Sequence, residues 1–268
     1  DLGPERTQIV QENLEPLGRR FEPDPRRAVV PDWLPTPENR EYHDAIETLE
    51  GVIDDIVAER RDAVEDRSDL LSILLRARED GDIDDRQVRD ELMTMLLAGH
   101  DTPALALTYT WYLLSEHPEV ERKVHEEIDA VVDGRPTFAD VRELSYVRNV
   151  LDEAMRLYPP VYAMFRQPDR DVEIEGYDVP AGSLVMLSQW ATHRDPRYFD
   201  DPEAFRPERW TESDHPTYAY MPFGAGPRSC IGKQFSLTEA TIVLATIAGE
   251  YRLDRVDDGE LDLRGSLT

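Results

Sequence analysis

From Glu38 to Tyr158, apolar positions recur every three or four residues along much of the chain. Ile46, Leu49, Ile53, Ile56 and Val57 form one such stripe and predict a helix from Glu38 to about Glu65. A short apolar helix is expected over Asp69–Arg78, with Ser68 as its N-cap, and Asp80-Gly81-Asp82 reads as a turn. The next pattern runs from Asp84 to Glu116 and stops at His117-Pro118. Its length of about 32 residues corresponds to roughly 48 Å of helix. From Leu92 onward its apolar residues spread around the circumference, the pattern of a buried central helix over 84–116. Val120, Val124, Ile128 and Val131 mark a further helix ending at Asp133-Gly134. Val147, Val150, Leu151, Ala154 and Leu157 mark another over 145–158, closed by Pro159-Pro160.

The period then shortens. Val172-Glu173-Ile174 and Leu184-Val185-Met186-Leu187 flank Gly176, Pro180 and Gly182, which predicts a small β region over 172–188. Residues 190–228 are dense in Pro and Gly and predict an irregular, ordered stretch. A last helix is expected over 230–250, with Phe235, Thr238, Ile242 and Ala245 on one face. Residues 1–37 are rich in Pro, Arg and Glu, with Leu34-Pro35-Thr36-Pro37 leading into the first helix, and Gln8 to Gly18 shows no assignable pattern. The expected fold class is mainly α with a small β region.

Charge narrows the function classes. Against 30 Lys+Arg stand 57 Asp+Glu, a formal charge of -27. That balance argues against a nucleic-acid ligand and against anionic membrane surfaces. The longest apolar runs, such as Ile242 to Ile247, fall far short of the roughly 20 residues of a membrane span. Only Lys123 and Lys233 are lysines. Abundant carboxylates with almost no lysine resemble the composition of a halophilic archaeon's cytoplasmic protein, with an ordinary acidic bacterial protein as the alternative. At molar salt the Debye length of about 3 Å would screen the self-repulsion. The chain begins at Asp1 and stops at Thr268, and both ends read as cut. Cys230 is the single cysteine, so neither an intrachain disulfide nor a multi-cysteine metal site can form.

Three segments carry candidate chemistry. The strongest is Phe223-Gly224-Ala225-Gly226-Pro227-Arg228-Ser229-Cys230-Ile231-Gly232. Glycines let its backbone approach a large flat group. The thiol is expected at a helix N-terminus, which favours thiolate. Arg228 offers a forked cation to a carboxylate or phosphate. Taken alone, the loop reads equally as a buried cysteine after a glycine turn. Glu153 and Arg156, three residues apart, share a helix face and by themselves read as a surface ion pair worth a few tenths of a kcal/mol. In Ala98-Gly99-His100-Asp101-Thr102-Pro103 a glycine and a proline predict a kink, with an acid and an alcohol at the opening. Self-relief of that kink by Asp101 and Thr102 accounts for it equally well. His100, His117 and His125 show no metal-ligand grouping.

Phe223, Gly226, Arg228, Cys230 and Gly232 resemble, at matching spacing, the haem-binding loop of the cytochromes P450, the haem-thiolate monooxygenases. The resemblance extends in order over nearly the whole chain, as about the C-terminal two-thirds of a family member. It implies haem b as cofactor, Cys230 as axial thiolate ligand of the iron and Arg228 as partner of a haem propionate. Thiolate ligation favours O–O cleavage. It also implies that Glu153 and Arg156 lock to Arg209 of Phe205-Arg206-Pro207-Glu208-Arg209-Trp210 as a structural triad buttressing the loop. Asp101 and Thr102 correspond to the acid–alcohol pair that organises protons for O2 activation. Pro103, where relatives often carry Thr or Ser, departs from the pattern and puts the water network in doubt. Arg166 aligns with a second propionate contact, and a solvated arginine explains it nearly as well. Ala98, Ala163 and Met164 fall near the substrate pocket, and His193 in His193-Arg194-Asp195-Pro196 is a structural landmark. The implied activity is oxygen insertion into a small apolar organic substrate, with electrons from a ferredoxin or other separate redox protein. A peroxide-using or non-oxygenating haem-thiolate enzyme, and a haem-binding sensor or inactive fragment, are the alternatives.

Overall fold

The computed structural model describes residues 3–19, 30–60, 69–212, 215–256, 261 and 263. The chain divides into two compact units, residues 1–100 with 263–268, and residues 101–262.

The first unit holds α1 (Gly3–Arg19), α2 (Pro37–Arg60), α3 (Leu70–Glu79) and the first half of α4 (Asp85–Glu116). Val10, Leu14 and Leu17 of α1 are buried with Ala45, Leu49 and Val52 of α2. Spacings of four and three put the α1 residues on one face, a signal diluted in the sequence by Pro16 and the surrounding polar positions. At the start of α2, Pro37 occupies the first turn and Thr36 Oγ1 accepts from the Asn39 N–H at 3.1 Å. The predicted extension to Glu65 and the predicted cap Ser68 lie outside the described residues. Asp69 caps α3 instead. Its carboxylate accepts from the Ser72 N–H (3.0 Å) and hydroxyl (2.9 Å) and pairs with Arg60. Arg60 first, then the Ser72 amide, hold that carboxyl down at about 2.

The second unit adds α5 (Pro118–Val131), α6 (Ser145–Leu157), β1 (Ala163–Arg166), β2 (Val172–Ile174), β3 (Tyr177–Val179), β4 (Val185–Ser188), α7 (Gln189–Thr192), α8 (Arg209–Glu212) and α9 (Lys233–Glu250). Its main core joins Val120, Val124 and Ile128 of α5, Val147, Val150, Leu151 and Ala154 of α6, and Ala240, Leu244, Ala245 and Ala248 of α9. The sheets are two antiparallel pairs. β1 runs against β4 with Ala163 opposite Ser188 and Arg166 opposite Val185. β2 and β3 form a hairpin in which Glu175 (φ 49) and Gly176 (φ 83) make the turn. The sequence pattern indicates β2 and β4 but neither of their partners, β3 and β1.

Two expectations are corrected. α4 continues helically through Pro103, but from Leu92 on it is not buried all round. Only Ala106, Thr110, Leu113 and Leu114 are buried there, a single stripe. α9 starts at Lys233, so Cys230 precedes the helix. Its buried face is Leu237, Ala240, Thr241, Leu244, Ala245 and Ala248, while Phe235 is 72% exposed. Among the described residues no helix is long and apolar enough to cross a membrane.

This packing predicts opposite outcomes at two α9 positions. Leu244→Ala should lower unfolding free energy by about 2–5 kcal/mol, whereas Phe235→Ala should stay within about 0.5 kcal/mol, both read by denaturant titration.

Candidate functional site

The site centres on Glu153, the buried carboxylate of α6. Glu153 and Arg156 are fully buried and Arg209 is 1% exposed. Five N–H groups converge on Glu153: Arg156 Nε (3.0 Å) and Nη2 (2.9 Å), Arg209 Nε (2.8 Å), the Arg206 amide (3.0 Å) and Trp210 Nε1 (3.1 Å). Guanidinium hydrogens not used on the carboxylate go to main-chain carbonyls. Arg156 donates to His193 O (2.9 Å), Pro202 O (2.7 Å) and Ala204 O (3.1 Å). Arg209 donates to Asp200 O (2.9 Å), Asp201 O (3.3 Å) and Ala204 O (3.3 Å). The irregular chain of 193–206 is thereby strung around two cations, including Asp201, which sits at φ 46. Buried backbone carbonyls need donors, and a segment without helix or sheet must take them from side chains.

α6 is itself anchored from outside. Its N-cap residue Leu144 makes no side-chain capping bond. Instead Glu127 of α5 accepts from the Tyr146 and Val147 amides, both at 2.8 Å, and from Ser145 Oγ at 3.2 Å. A carboxylate at a helix N-terminus satisfies orphan amides and opposes the positive end of the dipole. Glu208, beside Arg209, bridges Lys123 (2.6 Å) and the Tyr146 hydroxyl (2.9 Å). Lys123, with the Tyr146 hydroxyl and the Glu208 amide, outweighs burial and keeps the Glu208 carboxyl below its ordinary value.

Toward the cysteine, the half-buried Tyr220 donates to Asp152 at 2.9 Å, with its ring 4.4 Å from that of Trp210. Burial first, then Asp152, hold the Tyr220 phenol well above its ordinary range. The Met221 amide donates to His193 Nε2 at 3.0 Å and the Met221 carbonyl accepts from Gln189 Nε2 at 2.6 Å. Both Gln189 and His193 are fully buried. Burial, then the Arg156 charge, push the His193 imidazole down to about 4.

The loop that follows closes on itself. Gly224 N donates to Met221 O (2.9 Å), Ser229 N to Gly226 O (3.1 Å) and Cys230 N to Phe223 O (2.8 Å). Gly224 and Gly226 both sit at φ 71, the left-handed region. A Cβ on Gly224 would lie 3.2 Å from Met164 Sδ, whereas one on Gly226 would meet nothing within 4 Å. Gly232 lies beside the thiol, its would-be Cβ 3.8 Å from Cys230 Sγ. The free Cys230 and Arg228 are exposed, and Arg228 makes no ion pair among the described residues. A soft exposed thiol, open space over Gly226 and an unpaired guanidinium fit a flat, anionic, iron-bearing group such as haem.

The remaining expected residues fall as follows. Phe223 packs with Ala106 of α4, Met155 of α6 and Leu237 of α9, and Lys233 Nζ lies 5.9 Å from its ring centre. That small cluster ties the cysteine loop to α4 one turn beyond Asp101 and Thr102, which are half-buried. Ala163 is buried and Met164 half-buried on β1, against the loop at Gly224. Arg166, exposed at the end of β1, donates to Phe165 O at 2.8 Å. Ala98 is exposed on the part of α4 counted with the first unit. Sequence reasoning missed Gln189, Trp210, Tyr220 and Glu127. Only His193 had drawn notice, and none of the others belongs to a spacing that local chemistry would single out.

Two outcomes follow. Glu153→Gln leaves two buried guanidiniums short of their counter-charge and should lower stability by about 3–5 kcal/mol in urea titrations. For His193 the unfolded chain takes up a proton near pH 6.5 that the folded chain resists until about 4, so its contribution falls as pH drops through that window. The His193→Gln variant should lack this slope, an effect of at most roughly 3 kcal/mol between the two pH limits. Burial at His215 acts in the same direction in both proteins and cancels in the comparison.

Comparison with known proteins agrees with this geometry. The family description Cytochrome P450 matches residues 4–264. The chain is 44% identical over 252 residues to the cyclooctat-9-en-7-ol 5-monooxygenase of Streptomyces melanosporofaciens, covering 91% of this chain and 52% of that protein. It is 40% identical to cyclooctatin synthase of the same organism, over 85% of this chain and 52% of the relative. With pentalenene oxygenase of Streptomyces avermitilis it shares 36% identity, again over 85% and 52%. The chain thus spans about half the length of these relatives. A family match over nearly all of its residues, joined to the buried Glu153 cluster and the loop around Cys230, places it: the chain belongs to the cytochrome P450 family.

Proposed function

We propose that this chain supplies the cysteine-ligand side and the acid–alcohol helix of a haem-thiolate monooxygenase. In that reaction one atom of O2 enters a small apolar organic substrate and the other leaves as water, with two electrons from a separate redox protein and two protons from solvent. The observation that carries the proposal is the exposed Cys230 thiol, held by the Phe223–Cys230 backbone bond in a loop with two left-handed glycines beside unpaired Arg228. Relatives named for oxygenating cyclooctat-9-en-7-ol and pentalenene support the reaction class and an apolar substrate.

Haem b, when bound, supplies the iron at which O2 is reduced. Cys230 would supply the thiolate that holds the haem, and Arg228 would offer a cation to one of its carboxylates, with Arg166 available to the other. Asp101 and Thr102 would hold and pass protons, the carboxylate as relay and the hydroxyl as donor and acceptor. Ala163 and Met164 would lie on the substrate side. Glu153, Arg156 and Arg209 hold the loop and touch neither substrate nor cofactor. A ferredoxin is the proposed electron donor, docking through basic Arg228 and Lys233, since an acidic partner must find a positive patch on a chain of charge -27. The same charge supports a cytoplasmic, high-salt setting.

In haem-loaded protein reduced under CO, Cys230→Ala should abolish the thiolate-type Soret band, and an unchanged spectrum removes Cys230 as ligand. Thr102→Ala should keep haem but divert electrons from product to peroxide. Unaltered coupling would favour a peroxide-using enzyme that needs no proton delivery. Stability should rise on moving from dilute buffer to molar salt, where screening reaches about 3 Å, and a flat response contradicts the high-salt setting.

A further inference from the structure

We propose that Gln189 and His193 are positioning residues that grip the Met221 peptide from both sides and so set the register of the cysteine loop. The proposal rests on the reading of Cys230 as the haem ligand, and it adds a mechanical link between the Glu153 cluster and that ligand.

The link can be followed bond by bond. Arg156, fixed by Glu153, donates to the His193 carbonyl at 2.9 Å. The His193 ring leads on to Met221, with Nε2 accepting the Met221 amide at 3.0 Å. On the other side of the same residue, Gln189 Nε2 donates to the Met221 carbonyl at 2.6 Å. That carbonyl also takes the Gly224 amide at 2.9 Å, which closes the turn presenting Phe223. Phe223 O in turn accepts the Cys230 amide at 2.8 Å. Each step is one hydrogen bond, and Pro222 between Met221 and Phe223 stiffens the only covalent route.

Why these two side chains suit the task follows from what each can do. Met221 lies outside any strand, so its part-buried amide turns to a side chain, and its carbonyl takes a side-chain donor beside the Gly224 amide. A neutral imidazole can accept an amide proton, and burial beside Arg156 keeps His193 neutral well into acid. Gln189 is oriented without ambiguity, because only its NH2 can meet a carbonyl. Its Oε1 is buried with no partner among the described residues. A buried unpaired acceptor is costly, so the residue is better explained by the bond it donates than by burial alone. Both grips come from a single turn, α7 with its C-cap His193. That turn follows β4, which pairs with the strand carrying Met164 against Gly224.

The test is residue-resolved amide exchange on the protein without haem, followed by CO-reduced spectra of the haem-loaded protein. His193→Phe keeps ring bulk but removes the acceptor, and Gln189→Leu removes the donor. In either variant, exchange at the Met221, Gly224 and Cys230 amides should quicken roughly tenfold to a hundredfold, the scale of one lost buried hydrogen bond. His193→Gln restores an acceptor and should restore protection. Val124→Ala, a core truncation in α5, should lower global stability without singling out the loop. After haem loading, His193→Phe should lose more of the thiolate-type Soret band than Val124→Ala. The proposal is overturned if the three loop amides keep native protection in both His193→Phe and Gln189→Leu, or if they open no more than amides of α5, α6 and α9. Should His193→Phe not fold, Gln189→Leu and His193→Gln decide the matter by the same readout. Because exchange is read without haem, failure of the clamp is separable from failure of Cys230 as ligand, which the Cys230→Ala spectrum reports.

Discussion

One buried carboxylate organises the second unit. Glu153 sits at zero exposure between two guanidiniums, and those cations hold the chain of 193–206 by its carbonyls. Removing three charges from water is expensive, and the arrangement is tolerated because each charged group finds several partners. An apolar replacement of the trio would conserve volume, but it would leave the carbonyls of His193, Asp200, Asp201, Pro202 and Ala204 without these donors. The cluster is therefore better understood as the scaffold of an irregular segment than as a source of net stability. Its grip extends through His193 to Met221 and from there to the cysteine loop.

The helices were legible because their packing is local. Stripes such as Val120, Val124 and Ile128 or Val147, Val150 and Leu151 lie three or four residues apart and turn up on the buried face. Where the partners are distant the sequence says less. Phe235 has the right spacing for an α9 core, yet Leu237 and Leu244 take that role because α5 and α6 approach from the other side. The all-round apolar stretch of α4 shows which residues are apolar, not which are covered.

The site divides along the same line. Glu153 with Arg156 and the cysteine loop are short-range patterns visible by spacing, but spacing alone left them a surface ion pair and a glycine turn, and their roles came from resemblance to a family. Their connection to Arg209, 56 positions from Glu153, was visible only through resemblance to a family. Glu127, Gln189 and Tyr220 act across 19 to 68 positions and carry no motif, and Trp210 closes the Phe205–Trp210 segment without its role being visible there, so only the folded structure reveals them. Charge shows a similar contrast. The two lysines look incidental in a chain rich in arginine, yet Lys123 pairs with Glu208 beside Arg209 and Lys233 lies against Phe223 of the cysteine loop. At both places a cation sits beside the proposed haem scaffold rather than on a featureless acidic surface.

The central claim is that the Glu153 cluster acts at a distance to place the Cys230 thiol on haem iron. X-ray absorption at the iron edge tests it most directly, comparing haem-loaded wild type with Glu153→Gln at a temperature where circular dichroism shows both still helical. The account predicts a sulfur neighbour at thiolate distance in wild type that is lost or spread over many distances in Glu153→Gln. A sulfur shell of unchanged distance and order in Glu153→Gln would contradict it.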